Sequence, residues 1–251
     1  MVNLKEKLHE QMIQSVQNAV TDKKIGIAFS GGVDSSLLAK ICTDLGYDIT
    51  LLTVGFAGSH DVEFSKEIAK MFGYKHKIEK ITSKMFPQIA KKINESIKTD
   101  NLSWNENCIA FYYLSKLAKR HDIKKILTAN GIDELFCGYN GYREAIKDGE
   151  DGVMKLMESK LENEINMMQA INNVISEFGV QIVQPFLAKD FISFVKKVPI
   201  KEKIHSPDDL IRKHIIRELA FQIGVPSDSS FKRKKALQYG TLIHKTLMKL
   251  K

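Results

Sequence analysis

The sequence predicts an α/β protein built on a doubly wound parallel sheet, with a mostly helical C-terminal half. Two observations support this prediction: short β-branched apolar runs alternate with helical patterns over about residues 20–140, and helical patterns dominate the rest of the chain. Strands connected in this way are parallel, because each intervening helix returns the chain to the same end of the sheet. We expect a single domain over residues 1–251, with an α/β core at about 20–140 and a helical part at about 141–251.

The first half is predicted to begin with a helix and then to alternate strand with helix. In the segment 4–20, apolar residues recur at helical spacing and predict one packed face. Buried strands are predicted at 24–29, 48–54, 75–81 and 125–129, and intervening helices at 34–45, 62–72 and 107–120. Gly73 is expected to end the second of these helices.

The second half is predicted to contain helices at 165–178, 187–198, 208–223 and 242–250. Before them, the acidic, glycine-containing stretch Lys147–Val153 is predicted to be a mobile loop. This stretch is too short to be a linker between separate domains.

The composition is typical of a folded chain. Of the 251 residues 43% are hydrophobic, and no apolar run approaches the roughly 18 residues of a membrane-spanning helix. The N-terminus mixes charges of both signs and lacks the apolar stretch of a secretion signal, so we expect a cytoplasmic protein with no membrane partner. Cys42, Cys108 and Cys137 are odd in number and widely spaced, which favours buried hydrophobic residues over disulfides or a zinc site.

The net charge of +8 is concentrated near the C-terminus, where residues 201–251 carry 12 Lys and Arg against 5 Asp and Glu. A basic segment can bind a polyanion such as RNA or a phosphate-rich ligand such as a nucleotide, and it can also be a solvated face. Charge alone leaves these three interpretations open.

The sharpest motif is Ser-Gly-Gly-Val-Asp-Ser-Ser at residues 30–36, between a predicted strand and a predicted helix. The glycines allow a tight turn and the helix N-terminus offers N–H groups, so the segment predicts an anion-binding turn. Asp34 would repel phosphate unless a divalent cation lay between them, which indicates magnesium. The lysine of an ordinary P-loop is missing. A plain glycine turn capped by serines is the structural alternative.

This motif resembles the SGGxDS loop of the N-type ATP pyrophosphatases, the PP-loop family. The resemblance implies an adenine nucleotide alpha hydrolase-like fold and a loop that holds the pyrophosphate leaving ATP, through Ser30, Gly31, Gly32, Asp34, Ser35 and Ser36. The segment 53–61 resembles the GxxGSxD stretch of asparagine synthetases, in which a strand end recognises adenine. By that resemblance Val54 and Gly55 bind the nucleotide, although Gly58 and Ser59 alone would simply cap a helix.

Two adjacent carboxylates, Asp133 and Glu134, follow the last predicted strand of the first half. Acids in this place can hold a cation on a polyphosphate, and they can also satisfy a helix N-terminus without any ligand. The stretch Gly131–Tyr139 resembles the GxDExFgGY motif of asparagine synthetases and β-lactam synthetases. The resemblance implies that Asp34 and Asp133 hold Mg²⁺, that Asp133 and Glu134 are catalytic, and that Gly131 contacts the nucleotide.

Three C-terminal segments extend the resemblance. Gln184–Leu187 is similar to the PFLD segment of asparagine synthetases, and Lys213–Arg217 to their KxxLR helix. In the basic run that begins at Lys232, the resemblance assigns to Lys234 the stabilisation of charge at an adenylated carbonyl, with Lys235 as its rival. A run of four basic residues is also typical of a solvated surface.

The chain departs from the family pattern at several positions. Asn130, three positions before Asp133, stands where asparagine synthetases carry a glutamate near the reacting centre. Ala188 replaces the acid of PFLD, Cys137 replaces a glycine, and the LxRxD element is missing between residues 154 and 183. The resemblance therefore implies ATP use and leaves the second substrate open. Because Val2 follows Met1, we do not expect the N-terminal cysteine of a glutaminase domain, and nitrogen would come from free ammonia, a separate glutaminase subunit or another amine.

The hypothesis that combines these features is an ATP-dependent, AMP-forming ligase that adenylates a small-molecule carboxylate and then joins it to ammonia or an amine, with ATP and Mg²⁺ as cofactors. A PP-loop enzyme that modifies tRNA is the first alternative, motivated by the basic C-terminal segment. A non-catalytic nucleotide-binding relative is the second, motivated by Asn130.

Overall fold

The computed structural model describes residues 3–232 and 236–250, and its centre is a five-stranded sheet in the order β3-β2-β1-β4-β5. Every neighbouring pair of strands is parallel. The strands are β1 Lys24–Ala28, β2 Asp48–Phe56, β3 His76–Ile81, β4 Lys125–Leu127 and β5 Gln181–Val183. Winding reverses between β1 and β4, so a crevice opens at their carboxyl ends. The predicted doubly wound parallel sheet is confirmed.

Helices cover both faces of the sheet and make up most of the second half. They are α1 Leu4–Ala19, α2 Val33–Asp44, α3 His60–Phe72, α4 Phe86–Ile97, α5 Leu102–Arg120, α6 Ile132–Leu135, α7 Gly141–Ala145, α8 Gly149–Ile175, α9 Lys189–Val195, α10 His214–Gln222, α11 Ser227–Ser230, α12 Leu237–Gly240 and α13 Ile243–Leu247. Short 3₁₀ segments occupy Ile146–Asp148, Ser176–Phe178, Pro185–Leu187 and Ile200–Glu202.

The first helix forms where its cap and its apolar stripe both favour it. The side chain of Asn3 accepts the N–H of Lys5, and Glu6 returns to accept the N–H of Asn3, which completes a capping box. Along α1, Leu8, Met12 and Val16 are fully buried. This stripe packs against the same face of the sheet as α2.

Two apolar clusters, one on each face of the sheet, form the core. One contains the buried faces of α1 and α2 together with β1, and it extends to α9 and α10. The other contains β2, α4, α5 and the later turns of α8. Helix α8 contributes residues to both clusters. The single-domain organisation stays a prediction.

The structure corrects several boundaries in the second half. The predicted mobile loop at 147–153 is wrong, because Gly149–Val153 forms the first turn of α8, where two acids suit the positive helix end and Val153 is fully buried. The helix predicted at 208–223 begins only at His214. The three-residue strand β5 was not predicted. Among residues 3–232 and 236–250, no helix combines the length and apolarity needed to cross a membrane.

Candidate active site

A cavity of about 340 Å³ opens at the carboxyl ends of β1, β2 and β4. The predicted site residues that line it are Ser30, Gly32, Asp34, Ser35, Val54, Asp133 and Glu134. Gly31, Ser36, Gly55 and Gly131 are not among the described residues of its wall. Residues from three distant segments of the sequence, each after or at the end of a strand, are therefore brought together in one crevice.

The turn after β1 has the shape of an anion-binding loop. Gly31 adopts a φ of +79°, and a Cβ there would come within 3.0 Å of the Phe64 ring. The Ser35 hydroxyl donates to the Gly32 carbonyl at 3.1 Å and lies 3.3 Å from the backbone N of Ser30, which closes the turn. Helix α2 starts directly after Gly32, which has no side chain to cap its first N–H groups. These groups are placed to receive an anion.

Ser36 supports this turn from behind. Its side chain is fully buried, and its hydroxyl donates to the Gly31 carbonyl at 3.3 Å. Ser229 of α11 is also fully buried, and its hydroxyl lies 2.7 Å from the same carbonyl and 2.9 Å from the Ser36 hydroxyl. Both serines brace the loop, so Ser36 contributes to its shape and not to the cavity wall.

The end of the cavity next to β2 is apolar. Val54 lies there with Leu52, Phe111 and Leu114. Beyond Val54, the end of β2 is covered by the C-terminal segment, where the N–H of Phe56 donates to the carbonyl of Thr241 at 3.1 Å. This end offers flat apolar surfaces to a ligand.

A buried lysine joins the two predicted metal-binding carboxylates. The Nζ of Lys213 lies 2.6 Å from Asp34 Oδ2 and 3.0 Å from Asp133 Oδ1, and the lysine side chain is 1% exposed. Burial acts to lower the pKa of Lys213, but the carboxylates of Asp133 and Asp34 outweigh it and raise this pKa. Lys213 is therefore a charged residue of the site.

The loop that carries Lys213 is strained and firmly anchored. Arg212 and Lys213 have φ values of +49° and +56°, a conformation that costs about 1–3 kcal/mol per residue outside glycine. Arg217 donates to the backbone carbonyls of Arg212 at 2.8 Å, Ser230 at 2.7 Å and Lys232 at 3.0 Å. One buried guanidinium thus connects two basic segments of the cavity wall, and strain of this kind is typical of functional sites.

The turn after β4 directs Asp133 toward the cavity. Its carboxylate lies so close above Gly138 that any Cβ at that position would collide with it. Glu134 is 2% exposed, accepts the N–H of Gly131 at 3.0 Å and accepts the hydroxyl of Tyr139. Glu134 therefore holds the turn in shape while Asp133 extends to Lys213.

The site chemistry suits magnesium. Asp34 and Asp133 come from the ends of different strands, yet both reach the same ammonium within 3.0 Å. Paired carboxylate oxygens are hard ligands of the kind that Mg²⁺ accepts together with phosphate oxygens. These two residues fit a magnesium ion bound with a polyphosphate, and Lys213 would then be a neighbouring cation.

A comparison with known protein families shows to which family the chain belongs. The sequence model of the asparagine synthase family matches residues 7–177, which include β1 to β4 and both carboxylates. The chain belongs to the asparagine synthase family.

Curated relatives are similar over most of this chain. A Methanocaldococcus jannaschii protein whose name assigns it as a glutamine-hydrolysing asparagine synthetase is 25% identical over 98% of this chain and 52% of its own length. Asparagine synthetase 1 of Arabidopsis thaliana is 25% identical over 80% of this chain and 36% of its own length. A relative from Acanthamoeba polyphaga mimivirus is 26% identical over 91% of this chain and 44% of its own length. The chain thus spans about half the length, or less, of these relatives.

The departure of this chain from the family pattern at Asn130 is accompanied by a buried carboxylate, Glu164, that was not predicted from the sequence. Glu164 lies in the middle of α8, is 4% exposed and lines the cavity. The Nδ2 of Asn130 donates to Glu164 Oε1 at 2.5 Å. A signal was present, because Glu164 interrupts the buried stripe formed by Met157, Leu161, Met168, Ile171 and Ile175. An acid in an apolar helical stripe indicates a buried polar partner or a function.

The basic C-terminal segment contains both buried and exposed cations, and some of its cations line the cavity. Lys203, Arg212, Lys213 and Arg217 are buried, so four of the cations counted in the sequence do not form an exposed face. Lys232 lines the cavity, with its Nζ 3.4 Å from the centre of the Phe64 ring. Lys234 and Lys235, the predicted catalytic lysine and its rival, lie outside the described residues.

Proposed function

We propose that this asparagine synthase-family protein is an ATP-dependent amide-forming ligase, which adenylates a small carboxylate and transfers the acyl group to ammonia or an amine. The observation that carries the proposal is the convergence of Asp34 and Asp133 on one cation position beside the Gly31 turn. A pair of acids facing an anion-binding turn is suited to a metal-bound pyrophosphate and has little use in a plain structural turn.

In the first step, a carboxylate oxygen of the acceptor attacks the α-phosphorus of ATP. The bond from that phosphorus to the bridging oxygen breaks, and pyrophosphate leaves with the electron pair. The N–H groups at the start of α2 and the hydroxyls of Ser30 and Ser35 would receive the leaving group, while the apolar surface near Val54 and Phe111 would hold adenine. Bound by Asp34 and Asp133, Mg²⁺ would neutralise charge on the pyrophosphate.

The cations of the site favour the same step. Lys213 and Lys232 line the cavity in fixed positions, and Arg217 anchors the segments that carry them. Preorganised positive charge stabilises a transition state in which negative charge moves onto the leaving group. Lys234 remains our proposal for the residue that faces the adenylated carbonyl.

In the second step, the amine nitrogen attacks the acyl carbon of the adenylate, AMP leaves, and the nitrogen loses a proton. We assign the acceptance of this proton to Glu164, because Asn130 is an amide and cannot act as a base. Asn130 donates to Glu164 and holds its carboxylate toward the cavity.

Pyrophosphate exchange tests the first step. Aspartate, the acceptor that the family name implies, and other small carboxylates should each be tested for exchange of labelled pyrophosphate into ATP. We expect Asp34→Asn to lower the exchange rate by about 100-fold or more, while Asp44→Asn, which alters only an exposed pair with Lys40, leaves it unchanged. Release of ADP instead of AMP, or full exchange in Asp34→Asn, would refute the proposal. AMP formation would also exclude a non-catalytic relative.

The nitrogen source requires a separate measurement. We expect ammonium to support amide formation by this chain, whereas glutamine should do so only when a glutaminase is supplied. Product formation with glutamine and this chain alone would contradict that expectation. A tRNA acceptor would require binding with steep salt dependence, and flat binding over a salt series would remove it.

A further inference from the structure

Two histidines and an aspartate meet in the loop between Ile204 and α10. His205, Asp209 and His214 each offer one ligand atom, and these atoms all lie within 4.8 Å of one another. The His214 Nε2 lies 2.6 Å from Asp209 Oδ2, and the rings of His205 and His214 are parallel, with 3.6 Å between their centres. None of the three is among the residues that line the active-site cavity.

We propose that this cluster binds a transition-metal ion of the zinc class. Imidazole nitrogens together with one carboxylate oxygen are the ligand set that Zn²⁺ and its neighbours prefer over Mg²⁺ and Ca²⁺. The ion takes the place of the hydrogen between His214 Nε2 and Asp209 Oδ2, and the neutral ring then carries its N–H hydrogen on Nδ1. Ligands about 2 Å from one ion lie about 3.3 Å apart, so the pair of His214 Nε2 and Asp209 Oδ2, now at 2.6 Å, opens by about 0.7 Å.

Asp209 is already oriented as a ligand. Its Oδ1 accepts the N–H groups of Ile211 and Arg212, at 3.0 and 2.9 Å, and its Oδ2 accepts the N–H of His205 at 3.0 Å. Its side chain is 6% exposed. These backbone bonds explain the aspartate as a loop cap, but a loop cap needs no histidine on either side. His205 is exposed, so its ring can turn from the stack to point at the ion.

The position of the cluster indicates what a bound ion would do to the neighbouring loop. His205 begins the loop and His214 is the first residue of α10, so an ion bound to both fastens the two ends of the segment that carries Arg212 and Lys213. Binding would therefore add a further anchor to the strained residues that precede α10. This inference concerns a separate site and does not depend on the reaction proposed above.

Zinc titration by calorimetry on the full chain, with ZnCl₂ as the probe, tests the site. We expect a single high-affinity ion in the wild type and affinity lower by about tenfold or more in His205→Ala, whose exposed side chain is dispensable for folding. His121→Ala, which removes a histidine far from the loop along the chain, is the matched control and should bind as the wild type does. With Co²⁺ in place of zinc, visible absorption bands should appear in the wild type and weaken in His205→Ala.

Hydrogen exchange locates the effect. Zinc should slow amide exchange in residues 205–214 of the wild type and should not do so in His205→Ala. The proposal is overturned if zinc fails to bind at millimolar concentration, or if His205→Ala and His214→Gln bind it as tightly as the wild type. Protection confined to another part of the chain would overturn it as well.

Discussion

The two parts of the chain contribute differently charged side chains to the cavity, mostly carboxylates from the first part, with Lys160 as an exception, and cations from the second. Residues 7–177, which match the family model, supply the anion-binding turn and the carboxylates Asp34, Asp133 and Glu164. The later segment supplies Lys213, Arg217 and Lys232, and its Ser229 braces the turn. Neither part forms the site alone, because buried carboxylates need nearby cations to remain charged.

The two parts also differ in how their site residues are held. Asp34 and Asp133 lie in the first turns of α2 and α6, and the turn before each of these helices starts at the end of a strand of the sheet. Lys213 lies in a loop in which both it and Arg212 are left-handed, and Arg217 and Asp209 hold this loop through hydrogen bonds to the Arg212 backbone. The loop that carries Lys213 is thus the more easily disturbed. Substitutions there need controls that distinguish the loss of a charge from a loss of folding.

The largest effect is expected for Lys213→Met. It removes the buried ammonium between Asp34 and Asp133, so less preorganised positive charge faces the leaving pyrophosphate, and pyrophosphate exchange should fall by about 100- to 1,000-fold. In the absence of nucleotide, the variant should bind Mn²⁺ more tightly than the wild type, because the ion no longer competes with a lysine. Electron paramagnetic resonance of Mn²⁺ measures this second effect independently of activity.

The controls for Lys213→Met separate charge from folding. Lys40→Met, which affects an exposed pair with Asp44, should leave both measurements unchanged. If Lys213→Met does not fold, Lys213→Arg keeps the charge and should retain part of the exchange activity. Equal Mn²⁺ affinity in wild type and Lys213→Met would show that the lysine does not share the metal position.

The next effect is expected for Glu164→Gln, on the second step alone. Without a base for the attacking amine, amide formation should fall by about 100-fold or more, while pyrophosphate exchange, which reports only adenylation, should remain within a few-fold of the wild type. Measuring both rates on the same preparation gives a split that a general folding defect would not produce.

Glu162→Gln is the matched control, since this neighbour on α8 is exposed. It should leave both rates unchanged. A parallel loss of exchange and amide formation in Glu164→Gln would mean that the carboxylate shapes the cavity and is not the base.

The contrast between the two parts explains what the sequence could predict. Strand ends followed by glycine and acid, as at Asp34 and Asp133, form local patterns, and the sheet topology then brings them together without further information. The prediction for 147–153 failed because glycines and acids there were interpreted as a loop, whereas the helix is stabilised by distant packing of Val153. β5 has only three residues, too few for a periodic signal.

The residues that were missed act across long distances in the chain. Glu164 meets Asn130 only because α8 packs beside the end of β4, and nothing within either segment shows this contact. Lys213 was noted as part of a helix motif, but its contacts with both carboxylates depend on the fold of the loop before α10. The turns to which we assign nucleotide binding were therefore predictable from local sequence, and the partners of those turns were not.

The smallest effect concerns Lys203, a buried cation outside the cavity. Its Nζ donates to the carbonyl of Val195 at 2.8 Å, and burial lowers its pKa from 10.5 to about 8. Between pH 8 and 10.5 the unfolded chain keeps this proton while the folded protein releases it, so the free energy of unfolding should rise with pH, by up to about 3 kcal/mol. Below pH 8 the cost of the buried charge is fully present.

Lys203→Met should remove this pH dependence. The difference in free energy of unfolding between variant and wild type should therefore favour the variant more at pH 7 than at pH 10. Urea unfolding at each pH, expressed as the difference between variant and wild type, reports Lys203 together with its electrostatic neighbour Cys137, whose pKa burial raises to about 12. Lys201→Met, at an exposed neighbour, should show no such trend. A pH-independent difference for Lys203→Met would mean that the ammonium stays charged in the core, and that the second part of the chain holds its cations without penalty.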